Sequence, residues 1–380
     1  MTSSFKSFLN RLTPNQSSAN LSTITAGFAK AEKPTELFPK TDPTVDGEEC
    51  LHDCATCTIS YPSKWSIDEE EEVYGHIKGW QTHLLVATGE TDWVRDVADE
   101  EGSIMEAIER GPTKPTSGRL MLSASNMPLP STLHHDPSLA GTSSVLLLPA
   151  FTIIENVTPA NVPNLITTFV DTAPTNTTPL VHPPPLSPDL PRSASPSPMA
   201  TPPPTEIEMS EPPLTARPCP HDYLILLCSQ KTRDARCGQS APLLRRELER
   251  HLRPLGLYRD LHDERPGGVG IYFISHVGGH KFAANVMVYR RAKAGKAASR
   301  NGFSGRGLEV ENGDKRSGSR RDGKEVEERD MEAAQCIWLA RVRPEDCENI
   351  VRYTVLQGKV VKPERQLRGG FDRGRGLVSW

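Results

Sequence analysis

The 380-residue sequence has no apolar run long enough to span a bilayer; the longest, VLLLPAF from Val145, is broken by Pro149. No continuous apolar stretch precedes a small-residue cleavage site near the start, so no secretory signal is expected. There is no broad basic field either. Lys and Arg number 44 against 48 Asp and Glu, a formal net charge of −4, which argues against a nucleic-acid binder. Hydrophobic residues are only 36% and the mean hydropathy is −0.47, whereas Pro (34) and Gly (28) are plentiful. A packed core is therefore expected over part of the length, with linker elsewhere.

The missing secretory signal also bears on the eight cysteines, because a disulfide framework needs an oxidising compartment. Clustered cysteines in a reducing compartment are more often metal ligands or redox groups. Cys50, Cys54 and Cys57 lie together, as do Cys228 and Cys237, while Cys219, Cys336 and Cys347 are scattered. The first segment carries Lys6, Arg11 and Lys30, is rich in Ser and Thr, and has no acid before Glu32. It reads as a disordered polar tail in a cytoplasmic protein. Phe5, Phe8, Leu9 and Leu12 form a turn-spaced stripe that keeps a mitochondrial transit peptide as the alternative.

Composition divides the chain into a tail (1–46), an N-terminal α/β domain (47–175), a Pro/Ser-rich linker (176–218), a second α/β domain (219–362) and a C-terminal Gly/Arg-rich tail (363–380). In the first domain, THLLVATG from Thr82 and SVLLLPAFTII from Ser144 read as strands. Between them DVADEEGSIMEAIERG suggests an acidic helix closed by Gly111, and TPANVPNLITTFV a segment capped by Thr158. The linker's Ser/Pro alternation cannot build a core. It reads as a semi-rigid spacer, with phosphorylation or SH3/WW docking as alternatives.

In the second domain, DYLILLC (222–228) reads as a central strand, and APLLRRELERHL as a helix capped by Ser240 with Pro242 in its first turn. Strands follow at 270–275, in KFAANVMVYR and at 335–343. A last helix runs from Pro344 to a stop at Gly358. The order is β-α-β-β-β-α, interrupted at 291–330 by a charged, nearly apolar-free insertion that reads as a solvated loop.

CSQKTRDARCG (228–238) spaces two cysteines C-x8-C, and HVGGHKF (276–282) spaces two histidines H-x3-H. A thioredoxin-type thiol pair needs C-x-x-C, so the spacing is not that redox motif, although Cys237 sits before a helix start that favours a thiolate. Cys228 ends a strand and His276 ends the next, and the glycines permit a reversal that brings Cys228, Cys237, His276 and His280 to one rim. Two thiolates and two imidazoles suit Zn²⁺ or a [2Fe–2S] cluster, and the spacing does not choose between these and a plain buried thiol.

CSQKTRDARCGQSAPLL, GLYRD, HVGGHKFAANVMVY and IWLARV resemble the sucrase/ferredoxin-like family, with the C-x4-R-D-x-R-C-G and H-V-G-G-H-K-F-A motifs complete; FLNRL, DW and VLLLPAF extend the likeness more loosely. The resemblance implies a thioredoxin-like ferredoxin domain with a [2Fe–2S] cluster. In it Cys228 and Cys237 would bind one iron and His276 and His280 the other, making the protein an electron carrier rather than a glycosidase; the sequence shows no carboxylate pair placed for glycoside hydrolysis. Around such a cluster, Arg233 and Arg236 would favour the reduced state, and Asp234 would pair with one of them or orient a histidine; the plain alternative is a loop ion pair. Zinc binding and thiol exchange are the rival functions.

Two motifs stand apart. CLHDCATC places Cys50, Cys54, Cys57 and His52 within eight residues, which fit poorly around one ion without a ligand from elsewhere; a solvated, redox-sensitive cysteine cluster is the expectation. Val378-Ser379-Trp380 looks like the terminal tripeptide that recruits clients to the cytosolic iron–sulfur assembly machinery, and an exposed terminal Trp is costly without a pocket.

Overall fold

The computed structural model describes residues 27–129, 141–180, 213–292 without the His280 side chain, and 331–380. The first 26 residues, nearly all of the Pro/Ser-rich stretch with its phosphorylation and docking motifs, and the charged insertion from 293 on lie outside the described residues.

YLILLC forms strand β7 (Tyr223–Cys228), buried at all six positions as a continuous apolar run should be. Helix α3 (Ala235–Leu252) crosses from it to β9 (Val269–Ile274), which pairs parallel to β7 with Cys228 opposite Ile274. Strand β10 (Val286–Arg291) lies antiparallel on the other side of β7, and β11 (Ala333–Leu339) antiparallel beyond it. Helix α4 (Cys347–Asn349, continued by a wider turn Ile350–Val355) then returns, and Gly358 ends that segment at φ +72. The strand order β9-β7-β10-β11 with this connectivity is the thioredoxin-like arrangement.

The N-terminal half repeats it. Strand β2 (Thr82–Ala87) is followed by helix α1 (Ile104–Arg110), then β3 (Leu120–Ser125) parallel to β2. Strands β4 (Ser143–Leu148) and β5 (Thr152–Val157) follow antiparallel, and then helix α2 (Val162–Leu165) with a wide turn Ile166–Val170. Each half gains a strand after its last helix: β6 (Thr215–Pro218) on β5 and β12 (Leu367–Asp372) on β11. The halves meet where β3 and β9, equivalent strands, pair antiparallel at Ser125 and Ile274. Among the described residues the result is one 13-stranded sheet, in which the short β8 (Tyr258–Arg259) pairs parallel with β9, with an approximate two-fold between its halves, helices on its faces and apolar clusters on both sides.

Several expectations differ from the structure. SVLLLPAFTII is a hairpin, because Pro149 cannot donate to a ladder and breaks the run into β4 and β5. LMLSAS forms β3, masked in the sequence by its serines. α3 starts at Ala235 rather than after Ser240: Asp234 caps it, Pro242 lies inside it, and the buried Ser240 hydroxyl donates to the Cys237 carbonyl. The two stretches assigned to tails are ordered where described. Phe28, Leu37 and Phe38 are buried, Ala29–Lys30 pairs as β1 with β13 (Leu377–Val378), and β13 continues the sheet beyond β12. Gly/Arg composition concealed this role. Gly370 sits at φ +138 where a Cβ would meet the Cys336 carbonyl, so glycine is what lets β12 lie there.

Candidate metal and redox centre

Cys228 is the last residue of β7 and Cys237 lies in the first turn of α3, so both thiols sit at the C-terminal end of the parallel pair. His276 follows β9 at the same end. Gly278 and Gly279, at φ +90 and +71, turn the chain back so that His280 opens the 3₁₀ turn His280–Phe282 in the same loop. The structure thus brings together Cys228, Cys237 and His276: Cys228 Sγ lies 3.9 Å from His276 Nδ1, and the two thiols hydrogen-bond each other. For His280 only the backbone placement is described.

Both sulfurs are buried, and Ala283, Trp65, Ile67 and Val277 pack around them. The shared hydrogen bond holds the Cys228 thiol well below its ordinary range, with burial opposing and His276 assisting; it pushes Cys237 upward. The two thiols are thus pushed apart in acidity, Cys228 toward the thiolate and Cys237 away from it. Nε2 of His276 accepts from the Gly278 amide (3.0 Å), which leaves Nδ1 as the protonated nitrogen facing Cys228.

Asp234 accepts from the Arg236 amide (2.9 Å) and pairs with its guanidinium (2.8 Å), while Arg236 also donates to the Ser66 carbonyl. Arg233 reaches the Arg95 carbonyl (2.9 Å). The two arginines and the aspartate therefore tie the cysteine loop to neighbouring segments.

Other residues of the site escaped sequence reasoning. Gln230, buried, accepts from the His276 amide (2.9 Å) and donates to the Val94 carbonyl (2.5 Å), and Asp92 accepts from Thr232. The DW pair at 92–93, noted only as a loose likeness, was their one signal. Trp65 donates to the Arg236 carbonyl (3.3 Å) and packs against the cluster of Cys228, Cys237 and Ala283. Arg368, from the stretch assigned to a tail, is buried beneath the histidine loop. It donates to the Gly278 carbonyl (3.0 Å) and Asn285 Oδ1 (2.8 Å), with its charge 4.5 Å from the Trp338 ring centre. Burial lowers its pKa to about 10, against the opposing pull of Cys228.

From Ser125 and Ile274 the strand edge of β3 and the loop 276–279 splay apart, leaving a cleft of ≈ 620 Å³ that reaches His276. Arg95, Arg119, Arg368 and Lys78 line it with Leu120 and Trp338, against Asp96 and Glu109, so the approach to the histidine is cationic.

Two further motifs differ from expectation. In CLHDCATC, Cys50 and Cys54 are buried and Cys57 is half-buried, while Leu51, His52, Asp53, Ala55 and Thr56 stay exposed, and the Cys54 amide donates to the Glu345 carbonyl beside α4. The terminal tripeptide is not exposed. Val378 and Ser379 are buried, Ser379 Oγ accepts from the Gly370 amide (2.9 Å), and Trp380 stacks on Trp80 with ring centres 4.6 Å apart.

The fold and site define an α/β protein whose thioredoxin-like half carries a buried dithiol beside a histidine loop. The model of the sucrase/ferredoxin-like family matches residues 73–369, and the chain belongs to that family. Among curated proteins it is 54% identical over 67 residues to Actin patches distal protein 1 of Saccharomyces cerevisiae, covering 18% of this chain and 21% of that protein. It is 28% identical over 142 residues to Altered inheritance of mitochondria protein 32 of Clavispora lusitaniae (37% and 33% covered), and 26% over 158 residues to the protein of the same name from Meyerozyma guilliermondii (42% and 36%). The matches thus span about a fifth to a third of those relatives' lengths. No solved structure matches. Among the described residues, no helix is long and apolar enough to cross a membrane.

Proposed function

We propose that the protein is a one-electron carrier that holds a [2Fe–2S] cluster, with Cys228 and Cys237 on one iron and His276 and His280 on the other. The convergence of the paired thiols with His276, 3.9 Å from Cys228, supports this most directly. The donor set fits: two buried thiols, one of them with a lowered pKa, and a loop whose glycines return a second histidine to the same end of the sheet. When bound, such a cluster takes up one electron, and imidazoles in place of two thiolates raise its potential.

The chain's own residues do the rest. The first turn of α3 holds Cys237 beside Cys228, and it is Cys228 whose thiolate is favoured. Trp65 and Ile67 keep water from the sulfurs, and Gln230 fixes the His276 backbone. Arg368, with Arg233 and Arg236, supplies positive charge that favours added electron density. The cationic cleft gives an acidic redox partner its approach to His276. We place the protein in the cytoplasm, acting in redox homeostasis or actin patch organisation as the name of its yeast relative suggests. The relatives named for mitochondria mark that compartment as the alternative.

Recruitment to the cytosolic iron–sulfur assembly machinery would use Val378, Ser379 and Trp380 after release from Trp80.

Anaerobically purified full-length protein is expected to be red-brown, with about two irons per chain and an EPR signal on reduction. Colourless protein carrying zinc that is lost on Cys228→Ser sinks the reading. The thiol–thiol hydrogen bond favours a second reading, a dithiol oxidoreductase. In that case Cys228→Ser abolishes disulfide exchange while His276→Ala leaves it largely intact.

A further inference from the structure

CLHDCATC ends in C-x2-C, Cys54-Ala-Thr-Cys57, a spacing that suits two ligands of one zinc ion. The sequence offers no nearby partner set, but the fold does. Residues 46–57 are laid against α4: Asn349 donates to the His52 carbonyl (2.9 Å), Lys362 bridges Asp53 and Asp346, and Lys359 pairs with Asp46. That docking brings Cys54 to the last turn of α3 and the first turn of α4. Cys54 Sγ is 3.8 Å from His251 Nε2, and one ligand atom each from Cys54, His251 and Glu348 lie within 4.8 Å of one another. Cys57, half-buried, has its pKa raised by burial and by the nearby buried Glu247, whose carboxylate is 3.5 Å from His251 Nε2.

We propose that Cys54, Cys57, His251 and Glu348 form a structural zinc site, separate from the Cys228–Cys237 centre. Two thiolates, an imidazole and a carboxylate are a borderline-soft set suited to Zn²⁺ and unsuited to Mg²⁺ or Ca²⁺. Two thiolates and one carboxylate around a divalent ion leave one net negative charge. Arg250, which donates to Cys54 Sγ (3.3 Å), lies 3.0 Å from His251 Nε2 and pairs with Glu247, would move aside from these two ligands when the ion binds and offset that charge. Cys57 Sγ, now 3.4 Å from the Ile59 carbonyl, would turn from it to complete the set.

The site has a structural purpose. Cys237 and His251 stand at opposite ends of α3, roughly 21 Å apart at the helical rise. From Cys57 the chain runs back along that distance to Trp65, which covers the Cys228–Cys237 thiols; Tyr61 pins it on the way through the Val342 carbonyl (2.7 Å) and stacks on Trp65 at 4.1 Å. Zinc would anchor the near end of the strap whose far end shields the other centre. This inference does not depend on the nature of that centre.

The test is metal content of the full chain, expressed with zinc and iron supplied and purified anaerobically. Wild type is expected to carry about one zinc per chain. Cys54→Ser and His251→Gln, each separately, should lose most of it while iron and circular dichroism stay at wild-type values; Cys228→Ser should lose iron and keep zinc. Co²⁺ exchanged into wild type should show a thiolate charge-transfer band that Cys54→Ser abolishes. Wild type that neither carries zinc nor binds added Zn²⁺, or zinc retained in both Cys54→Ser and His251→Gln, overturns the proposal. Zinc lost only on Cys228→Ser overturns it and the iron reading together. Absence of iron with zinc lost on Cys54→Ser removes the iron reading alone.

Discussion

The guanidinium of Arg368 donates to the carbonyl of Gly278 across 3.0 Å, which places a buried cation under the loop that presents His276 and His280. The same nitrogen holds Asn285 Oδ1, and Asn285 in turn accepts from the Trp338 indole (3.1 Å). One arginine therefore ties the histidine loop to the start of β10 and to β11.

Replacing Arg368 by Met keeps most of the volume and removes the charge and two hydrogen bonds. Leaving Gly278 and Asn285 short of a donor should cost about 2–4 kcal/mol of stability. Loss of a nearby positive charge should also lower the reduction potential by tens of millivolts, on the order of 1–2 kcal/mol at an effective dielectric near 20. Equilibrium denaturation and potentiometry read the two effects separately. Lower stability at unchanged potential would assign Arg368 to architecture only.

The histidines set a second expectation. Electron uptake raises the basicity of a ligated imidazole, so between its oxidised-state and reduced-state pKa the potential should fall by about 59 mV per pH unit. His276→Cys and His280→Cys should each retain iron, shift the visible spectrum, lower the potential and flatten that slope. A slope that persists in the double variant would exclude the imidazoles as its source.

Much of this was legible before the structure. The continuous apolar run at 223–228, the turn-spaced Leu244, Leu248 and Leu252, and the alternation of strands and helices after Cys219 showed the order β-α-β-β-β-α, because burial on both faces of a central strand leaves a plain signal; that this order is thioredoxin-like was implied by the family resemblance. The convergence of Cys228, Cys237 and His276 was legible through two spaced motifs. What the sequence hid were contacts made across long separations. Arg368 sat in a Gly/Arg-rich stretch that looked solvated, Gln230 looked like any loop amide, and Cys54 meets His251 only because α3 and α4 pack side by side. The repeat of the same topology in the N-terminal half was hidden too, because LMLSAS and the hairpin around Pro149 obscure two of its strands.

A third expectation concerns acid. His83, fully buried in β2 between the Tyr289 hydroxyl and Ser123 Oγ (3.0 Å each), has its pKa lowered by burial from 6.5 to about 3. His221, lowered chiefly by burial and then by Arg259, falls to about 4. Both groups stay neutral in the fold, while the unfolded chain takes up their protons below 6.5. Their stabilisation is complete above 6.5 and is lost as pH falls from there toward the folded values. By pH 5 each should have lost about 2 kcal/mol. Urea melts at pH 7 and 5 check this. His83→Gln should halve the loss, and an unchanged difference would mean the buried imidazole is not its origin.

The terminal residues carry the last expectation, because two roles for them now compete. Trp380 fills the space beside Trp80 and Gly79, and Ser379 satisfies the Gly370 amide, so the tripeptide is part of the packing. Trp380→Ala should therefore lower stability by about 2–4 kcal/mol, as loss of a packed indole does. A recruitment role predicts something further: less iron in cells, with in-vitro reconstitution of the same variant giving full occupancy. Trp80→Ala separates the two. It removes the surface that holds the indole and leaves the tripeptide intact, so it should destabilise the protein as Trp380→Ala does while keeping or raising iron loading in cells. Equal iron loss in both variants, tracking stability alone, would reduce the tripeptide to a packing element.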